Sequence, residues 1–344
     1  MPTEPIVGWD VGGAHLKAAH VTGDGRVERA IQVPCALWQG LDRLRVAIDA
    51  ALREIGPARN HAITMTGELA DLFANRQEGV AAVVGTMSDC LPQTRMHVYA
   101  GEAGFLEPGE AVVQNQLVGS ANWRATAELV ATRIPAAIVL DIGSTTTDIV
   151  PIADSRVCTR GTDDASRLIS DELLYLGVTR TPLMALAARW PFDGNWTGIC
   201  NEHFATSADV YRLTGDLPPG ADQHASADNG PKTVEASARR LARMIGRDRE
   251  SATMDAWARL AGWLKATHIA RTDAALACIL SAQQFDPDVP LLGAGAGRFL
   301  VREIARRGGR QYIDFADMLG CSADARWIGD CAPAAAVALL SLRV

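Results

Sequence analysis

The sequence has no run of about eighteen uninterrupted apolar residues, the length a helix needs to cross a bilayer. Its opening residues, MPTEP, lack the basic start and apolar stretch of a secretory signal, so a cytoplasmic location is expected. There is no Lys/Arg run and no basic stripe interleaved with aromatics, and the net charge is -7. This argues against nucleic acid as the main partner, and Arg302, Arg306, Arg307 and Arg310 read as the solvated face and end of one helix. No CxxC spacing occurs among the seven scattered cysteines. An odd, unpatterned set implies reduced thiols, most of them buried as small hydrophobes. Cys200 and His203 have a C-x-x-H spacing, but two ligands do not make a zinc site. What remains is a soluble globular chain of 344 residues, 48% hydrophobic and 21% charged, long enough for two full cores.

The chain is organised around AAIVLDIGSTTTDIVPI (136–152). An apolar run of β character delivers Asp141 into a Gly-Ser-Thr-Thr-Thr turn, and a second apolar run follows. This is either an ordinary hairpin between core strands or a phosphate-binding one. In the second case Gly143 lets the backbone approach a ligand, and the N–H groups and hydroxyls of Ser144, Thr145, Thr146 and Thr147 face an anion. A second copy strengthens the phosphate reading. Ile6, Val7, Gly8 and Trp9 lead to Asp10, then Val11, Gly12, Gly13, Ala14 and His15, then LKAAHV. A carboxylate beside a phosphate repels it, so two such turns make electrostatic sense with a cation between them. Mg²⁺, which keeps its waters and needs only one or two carboxylates, fits that arrangement.

In order, IVGWD, HLKAAHVT and VERAIQVP predict a β-meander turning at Gly23-Asp24-Gly25. A helix follows over 41–55 on its apolar periodicity, then a strand, HAITMT, ending at Thr66-Gly67-Glu68. Glu68 is either a helix-terminal acid favoured by the macrodipole or a carboxylate of a ligand crevice. Further strands are expected over 95–115, and a helix capped by Asn122. Helices are expected over 163–175, 181–189, 233–246, 250–271 and 273–284, with an irregular, Gly/Pro-rich stretch over 190–231. DVPLLGAGAGRF repeats the strand, glycine turn, helix grammar through Gly293, Gly295 and Gly297. A strand over 311–315, a turn through Asp330, and an apolar helix over 334–342 opened by Pro333 close the chain.

Two Asp-Gly hairpins roughly 130 residues apart, followed by a Gly-rich turn before a helix, resemble the phosphate and adenosine motifs of the actin, sugar-kinase and heat-shock-chaperone ATPase superfamily. DIGSTTTDIVPI is similar to its hydantoinase and oxoprolinase branch. More narrowly, GWDVGGAHLKAA, TMTGELAD, NWRATAELVA, DIGSTTTDIVPI, LLYLGVTRTP, FATSADVYRLTGDLP and ASARRLARMIGRD resemble the family of tetrahydromethanopterin-linked one-carbon transfer pathway proteins. These segments run along nearly the whole chain.

The resemblance implies an α/β chain of two ribonuclease-H-like domains with an interdomain cleft, the actin-like ATPase fold. The first domain would be 1–134, with the helix over 334–344 packing back on it. The second would be 135–332, with an insertion at about 190–250. The implied activity is a Mg²⁺-dependent transferase reaction of methanofuran biosynthesis, in which an aminomethyl-furanmethanol diphosphate condenses with the phenol of a glutamyl-tyramine or tyrosine-type acceptor and releases diphosphate. Asp10 and Asp141 are then the Mg²⁺-associated carboxylates, while Gly12, Gly13, Gly143, Ser144, Thr145 and Thr146 cradle the diphosphate. Lys17 either neutralises phosphate or points outward, and His15 either donates to phosphate or makes a plain turn contact. Asp148 and Glu68 are candidates for removing the phenol proton. Arg180 either binds a substrate carboxylate or makes a helix-end ion pair. Tyr175 is placed near an interdomain position, and Asp209, Tyr211, Lys232 and Arg239 to Arg243 stand near the glutamyl or tyrosyl part. Two other readings stay open. One is an ATP-dependent kinase or oxoprolinase-like hydrolase, with Gly293, Gly295 and Gly297 binding adenosine; the other is a non-catalytic nucleotide-switched scaffold. The expected partners are small molecules, with no membrane or nucleic acid, and nothing in the sequence sets the oligomeric state.

Overall fold

The computed structural model describes residues 4–282, 285–321 and 325–343. Strands β1 (Ile6–Val11), β2 (His15–Val21) and β3 (Val27–Pro34) pair antiparallel in succession as the expected meander. Helix α1 (Leu41–Ile55) leads to β4 (Asn60–Met65), parallel to β1, and α2 (Arg76–Cys90) leads to β5 (Arg95–Tyr99), parallel to β4. With β6 (Phe105–Leu106) on the edge, the sheet order is β3-β2-β1-β4-β5-β6. Helices α3 (Pro108–Val113), α4 (Asn115–Val118) and α5 (Asn122–Ala131) follow.

The second sheet is built from β7 (Ala137–Ile142), β8 (Thr147–Ala153), β9 (Arg156–Val157) and, after α6 (Asp164–Ile169), β10 (Leu173–Leu174). Strands β11 (Arg189–Phe192) and β12 (Asn195–Gly198) make a separate hairpin. After α7 (Ser207–Thr214), α8 (Val234–Met244) and α9 (Met254–Ala282) come β13 (Leu291–Ala294), α10 (Arg298–Arg307) and β14 (Tyr312–Asp314). The order is β10-β8-β7-β13-β14, with β9 beside β8. Helices α11 (Phe315–Met318), α12 (Ala325–Asp330) and α13 (Ala332–Ser341) end the chain. Two compact units result: Met1–Val139, Val150–Asp164 and Ile313–Val344 form one, and Leu140–Ile149 with Ala165–Tyr312 form the other. Residues 135–139, 150–164 and 313–332, expected in the second domain, thus group with the first unit.

In the first unit, alternation along β1 decides where chemistry sits, because successive side chains point to opposite faces of a strand. Val7, Trp9 and Val11 join Leu44, Ile48, Val80, Val83 and Met87 in the apolar cluster with α1 and α2. Gly8 and Asp10 take the other face, where a Cβ on Gly8 would overlap the Ala334 carbonyl oxygen. Alanine-rich α13, with Ala332, Ala334, Ala335, Ala336 and Ala338 all buried, lies backbone-close on that face because its side chains are small. Asp10 is thereby held out of the apolar cluster. In the second unit, α7, α8 and α9 enclose a core of Trp190, Phe192, Trp257, Leu241 and Leu260, with Phe192 stacked on Trp257 at 4.6 Å between ring centroids.

Several local expectations are corrected. The segment expected as strands over 95–115 turns helical at Pro108, which sits in the first turn of α3, where a proline's missing N–H costs nothing. The helix expected over 163–175 stops at Ile169. Asp171 adopts a left-handed φ of 59° there, and Leu173 and Leu174 pair with Asp148 and Thr147 instead. The helix expected over 181–189 is a single tight turn, Leu183–Ala185, followed by the hairpin of β11 and β12. Asp193 and Gly194, with φ of 52° and 75°, form its two-residue turn, the Asp-Gly hairpin signature. The two helices expected over 250–271 and 273–284 are one helix of 29 residues; Thr272 bonds back to the His268 carbonyl at 3.1 Å and leaves no break. Gln283 and Gln284, the expected end of that tract, lie outside the described residues, as do 322–324 of the expected turn to Asp330. None of the seven cysteines is in a disulfide, but only Cys35 and Cys331 are buried, so most do not serve as core residues. Among the described residues no helix is long and apolar enough to cross a membrane.

Candidate active site

Asp10 stands near the end of β1 and is 2% exposed. Lys17 is its register partner in β2, and Thr64 is its partner in β4, so the three side chains share one face. The Lys17 ammonium lies 3.4 Å from Asp10 Oδ2, which settles its direction: inward. Asn122, expected as a helix cap, is the first residue of α5 and donates from Nδ2 to Asp10 Oδ1 at 3.4 Å. The Thr64 hydroxyl is buried without a hydrogen-bond partner. Beyond Asp10 the Gly12 N–H bonds to the His15 carbonyl at 3.0 Å, and a Cβ on Gly12 would come within 2.9 Å of that oxygen. Gly13 faces open space, with nothing within 4 Å of where its Cβ would be. The turn thus offers a bare backbone surface beside a carboxylate, a cation and an unpaired hydroxyl.

Glu68 lies just past β4, whose end is tied to β1 by the Thr66 N–H donating to the Val11 carbonyl at 3.0 Å. A Cβ on Gly67 would press on the Val11 oxygen at 3.0 Å, so Glu68 enters the structure beside the Gly12 turn. It is 1% exposed. Ser120 Oγ stands 2.9 Å from Glu68 Oε1 and 2.9 Å from Asp164 Oδ2. Arg76 reaches Asp164 at 2.9 Å and Glu68 Oε1 at 3.5 Å, the latter without hydrogen-bond alignment at Nε. Burial pushes the Glu68 carboxyl up to about 7, against the hydrogen bond from Ser120 and the charge of Arg76. Its Oε2 has no hydrogen-bond partner.

In the second unit three loops converge on the second glycine turn. The Gly143 N–H closes the turn on the Thr146 carbonyl at 2.8 Å. The 176–180 segment lies on it through Val178 N–H to Gly143 O at 3.0 Å and Arg180 N–H to Ser144 O at 2.9 Å, and Gly177 has no room for a Cβ against Ser144 and Thr145. Arg180 donates to Thr145 Oγ1 at 3.2 Å, and burial lowers its pKa. The Gly293–Gly297 turn is the third. A Cβ on Gly295, whose φ is 78°, would overlap Asp141 Oδ1 and the Ile142 carbonyl, and one on Gly297 would strike Ile142 and Val178. Gly293 is required by the Tyr312 ring, 2.7 Å from its Cβ position. Asp141, 7% exposed, is therefore seated against the Gly-rich turn, with Ser144, Thr145, Thr146 and Arg180 around the adjoining backbone.

Several other candidates are engaged by neighbouring groups. Thr147 is buried and donates to the Leu176 carbonyl at 2.6 Å. The Asp148 carboxylate accepts from the buried Arg167 at 2.8 Å, which commits its charge. Asp209 accepts from Ser237 at 2.7 Å and from Arg240 Nε at 2.8 Å and completes a capping box with Thr206. The Tyr211 hydroxyl is buried against His268 at 2.6 Å. Tyr175 is exposed, and Lys232 pairs with Asp222 at 3.4 Å. Residues that sequence reasoning missed are Arg76, Ser120, Asn122 as a ligand of Asp10, and Asp164; no motif joins them, because the fold alone brings 76, 120 and 164 to Glu68.

Two α/β units, each carrying a glycine turn beside a strand-end aspartate, define the ribonuclease-H-like pair of the actin-like ATPase fold. A nucleotide-free acetone carboxylase structure shares that fold, with a TM-score of 0.55 and 11% identity, covering 96% of this chain and 70% of that one. The family is set by sequence. The hydantoinase/oxoprolinase pattern matches residues 59–323, and the chain belongs to that family. It is 33% identical over 247 residues to the (4-{4-[2-(gamma-L-glutamylamino)ethyl]phenoxymethyl}furan-2-yl)methanamine synthase of Methanocaldococcus jannaschii, covering 71% of this chain and 72% of that one. A protein of the same description from Methanococcus vannielii is 44% identical over 73 residues, covering 21% of this chain and 32% of that one. These relatives are synthases, and the chain is an enzyme of the transferase class.

Proposed function

We propose that this enzyme joins a furan-methyl diphosphate to a phenol, forming an aryl ether and releasing diphosphate, in the making of a methanofuran-type cofactor. The observation that carries this reading is the match to the Methanocaldococcus jannaschii synthase, whose description names a phenoxymethyl-furan. In such a product a phenol oxygen is bonded to a methylene on the furan ring. The bond from that carbon to the diphosphate oxygen breaks with its electron pair leaving on diphosphate, the phenol oxygen bonds to the carbon, and the phenol proton passes to a base. Ring oxygen resonance supports positive charge on the carbon, so stabilising the leaving group is the chief catalytic task.

The donor set suits that task. Gly12, Gly13, Gly143, Ser144, Thr145 and Thr146 present bare backbone and hydroxyls to phosphate oxygens, and Lys17 and Arg180 bring positive charge to the two turns. Among the described residues no group of three or more His, Cys, Asp or Glu could cage a metal. Single carboxylates beside glycine turns fit Mg²⁺, which retains waters, better than zinc or calcium. Asp10 and Asp141 would hold it, directly or through metal-bound waters, with the Lys17 ammonium beside Asp10. Bound there, Mg²⁺ neutralises charge growing on the diphosphate. Glu68, buried with Oε2 unpaired, takes the phenol proton. A pocket of about 400 Å³ lined by Arg212, Asp222, Lys232 and Thr233 offers both charge signs, which suits the carboxylate and ammonium of a glutamyl or amino-acid group on the acceptor. An ATP-dependent reading needs the Gly293–Gly297 turn for adenosine, yet each of its three glycines is accounted for by intrachain packing.

Asp10→Asn and Asp141→Asn test the assignment. Each variant, folded as judged by thermal melting, is expected to need far more Mg²⁺ for diphosphate release and to gain nothing from more phenol. Wild-type Mg²⁺ titration curves in both would remove the metal from these carboxylates.

A further inference from the structure

One hydroxyl in the first unit serves two carboxyl groups. Ser120 Oγ is 2.9 Å from Glu68 Oε1 and 2.9 Å from Asp164 Oδ2. A hydroxyl carries one hydrogen and otherwise only accepts, so it donates to one of the two, and the other contact is a hydrogen bond only if that carboxyl carries a proton and donates to Ser120. Two ionised carboxylates meeting at one hydroxyl would also repel, which raises the proton affinity of Glu68. Arg76 supplies one positive charge, closer to Asp164 at 2.9 Å than to Glu68 at 3.5 Å. The cluster is neutral with one arginine, one carboxylate and one proton.

The local backbone is shaped around this arrangement. Ser120 is held at a φ of 54°, an uncommon conformation for a side-chain-bearing residue. A Cβ on the preceding Gly119 would lie 2.9 Å from Glu68 Oε1 and 2.7 Å from Arg76 Cδ, and a Cβ on Gly79 of α2 would overlap the Glu68 carbonyl. The two carboxyls differ in access: the Glu68 side chain is fully enclosed, whereas that of Asp164 is 20% exposed. Glu68 Oε2 is left without a hydrogen-bond partner.

We infer that Glu68, Ser120 and Asp164 form a proton relay that carries the proton lost by the substrate from the buried Glu68 to solvent at Asp164. The source of the proton rests on the condensation reading; the shared proton rests on geometry alone. With the relay proton on Asp164, Glu68 is the carboxylate and Oε2 accepts the phenol proton as the carbon–oxygen bond forms. Asp164 then releases its own proton to water. A half-turn of the Glu68 carboxyl then brings the protonated oxygen to Ser120 Oγ; its proton passes to Oγ while the Ser120 hydrogen passes to Asp164 Oδ2, which resets the pair with no net change in atoms or charge. The groups facing Glu68 in this exchange are Arg76 from α2, Ser120, and Asp164 at the start of α6, and Arg76 keeps its charge throughout. On the condensation reading Glu68 is the group that takes the substrate's proton, and Ser120 and Asp164 act through it.

Infrared spectroscopy of the protein without substrate reads the shared proton directly. The wild type at neutral pH is expected to show a protonated-carboxyl stretch that disappears in Glu68→Gln and moves in frequency in Ser120→Ala. No such band, or one that both variants leave untouched, overturns the relay. Kinetics with furan diphosphate and a phenol then test the passage. Ser120→Ala and Asp164→Asn are each expected to lower kcat by on the order of a hundredfold with KM unchanged and to move the pH profile, at the lower end of what proton transfer contributes. A wild type that condenses the substrates while Ser120→Ala keeps kcat and pH profile also overturns it. If the band behaves as expected and the wild type makes no ether, the condensation reading fails and the shared proton stands.

Discussion

Replacing Glu68 by glutamine measures how strongly the fold holds a proton on that carboxyl. Glutamine keeps the shape and the oxygen that faces Ser120, and places an amide NH2 where Oε2 has no partner. The unpaired amide costs about 1–3 kcal/mol, independent of pH. In the wild type, burial raises the carboxyl from its ordinary 4.5 to about 7. Between those values the folded protein keeps a proton that the unfolded chain has lost, so wild-type stability falls as pH rises through the interval and is level above and below it. A rise of that size is worth at most about 3 kcal/mol. Glu68→Gln has no such slope. Urea denaturation of both proteins at about pH 5 and about pH 8 is expected to show the stability difference moving toward the variant by up to about 3 kcal/mol. Slopes from groups away from the Glu68 cluster cancel in the comparison. A difference that is the same at both pH values would refute the claim that this carboxyl is buried and protonated.

Gly295→Ala is expected to lose about 2–5 kcal/mol in urea denaturation, combining left-handed strain of about 1–2 with overlap of about 1–3, because its Cβ meets Asp141 and the Ile142 carbonyl; a loss near zero would contradict that packing. Gly13→Ala, with nothing within 4 Å, is expected to change stability by no more than about 0.5 kcal/mol yet to slow diphosphate release, and an unchanged rate would move the diphosphate away from this turn. Purified protein is expected not to turn over ATP at a useful rate; steady hydrolysis stimulated by a metabolite and abolished by Asp141→Ala would favour the kinase or hydrolase reading.

The glycine turns were legible in the sequence because their chemistry is local: strand, aspartate and glycine stand together at 6–13 and 138–143, and hydroxyls follow the second at 144–147. The meander and α1 were legible for the same reason. Periodicity was less informative for 163–189, where strand pairing to β8 and an Asp-Gly turn at 193–194 override helical-looking spacing. The surroundings of Glu68 could not be read at all, since Arg76, Ser120 and Asp164 are far apart in the chain and each alone is an unremarkable polar residue. Asn122 shows a milder form of this. Its position before a helical run suggested a cap, and its amide oxygen does accept from the Trp123 N–H at 2.7 Å, while its Nδ2 reaches Asp10, a contact set by the packing of α5.

The most direct measurement is mass spectrometry of the products formed from an aminomethyl-furan diphosphate, Mg²⁺ and a phenolic acceptor such as tyramine, tyrosine or a glutamylated form. The account predicts an aryl ether appearing in step with released diphosphate, dependent on Asp10 and Asp141. Binding of the diphosphate with no ether formed from any acceptor of this class, or phosphoryl transfer from ATP in its place, would contradict it.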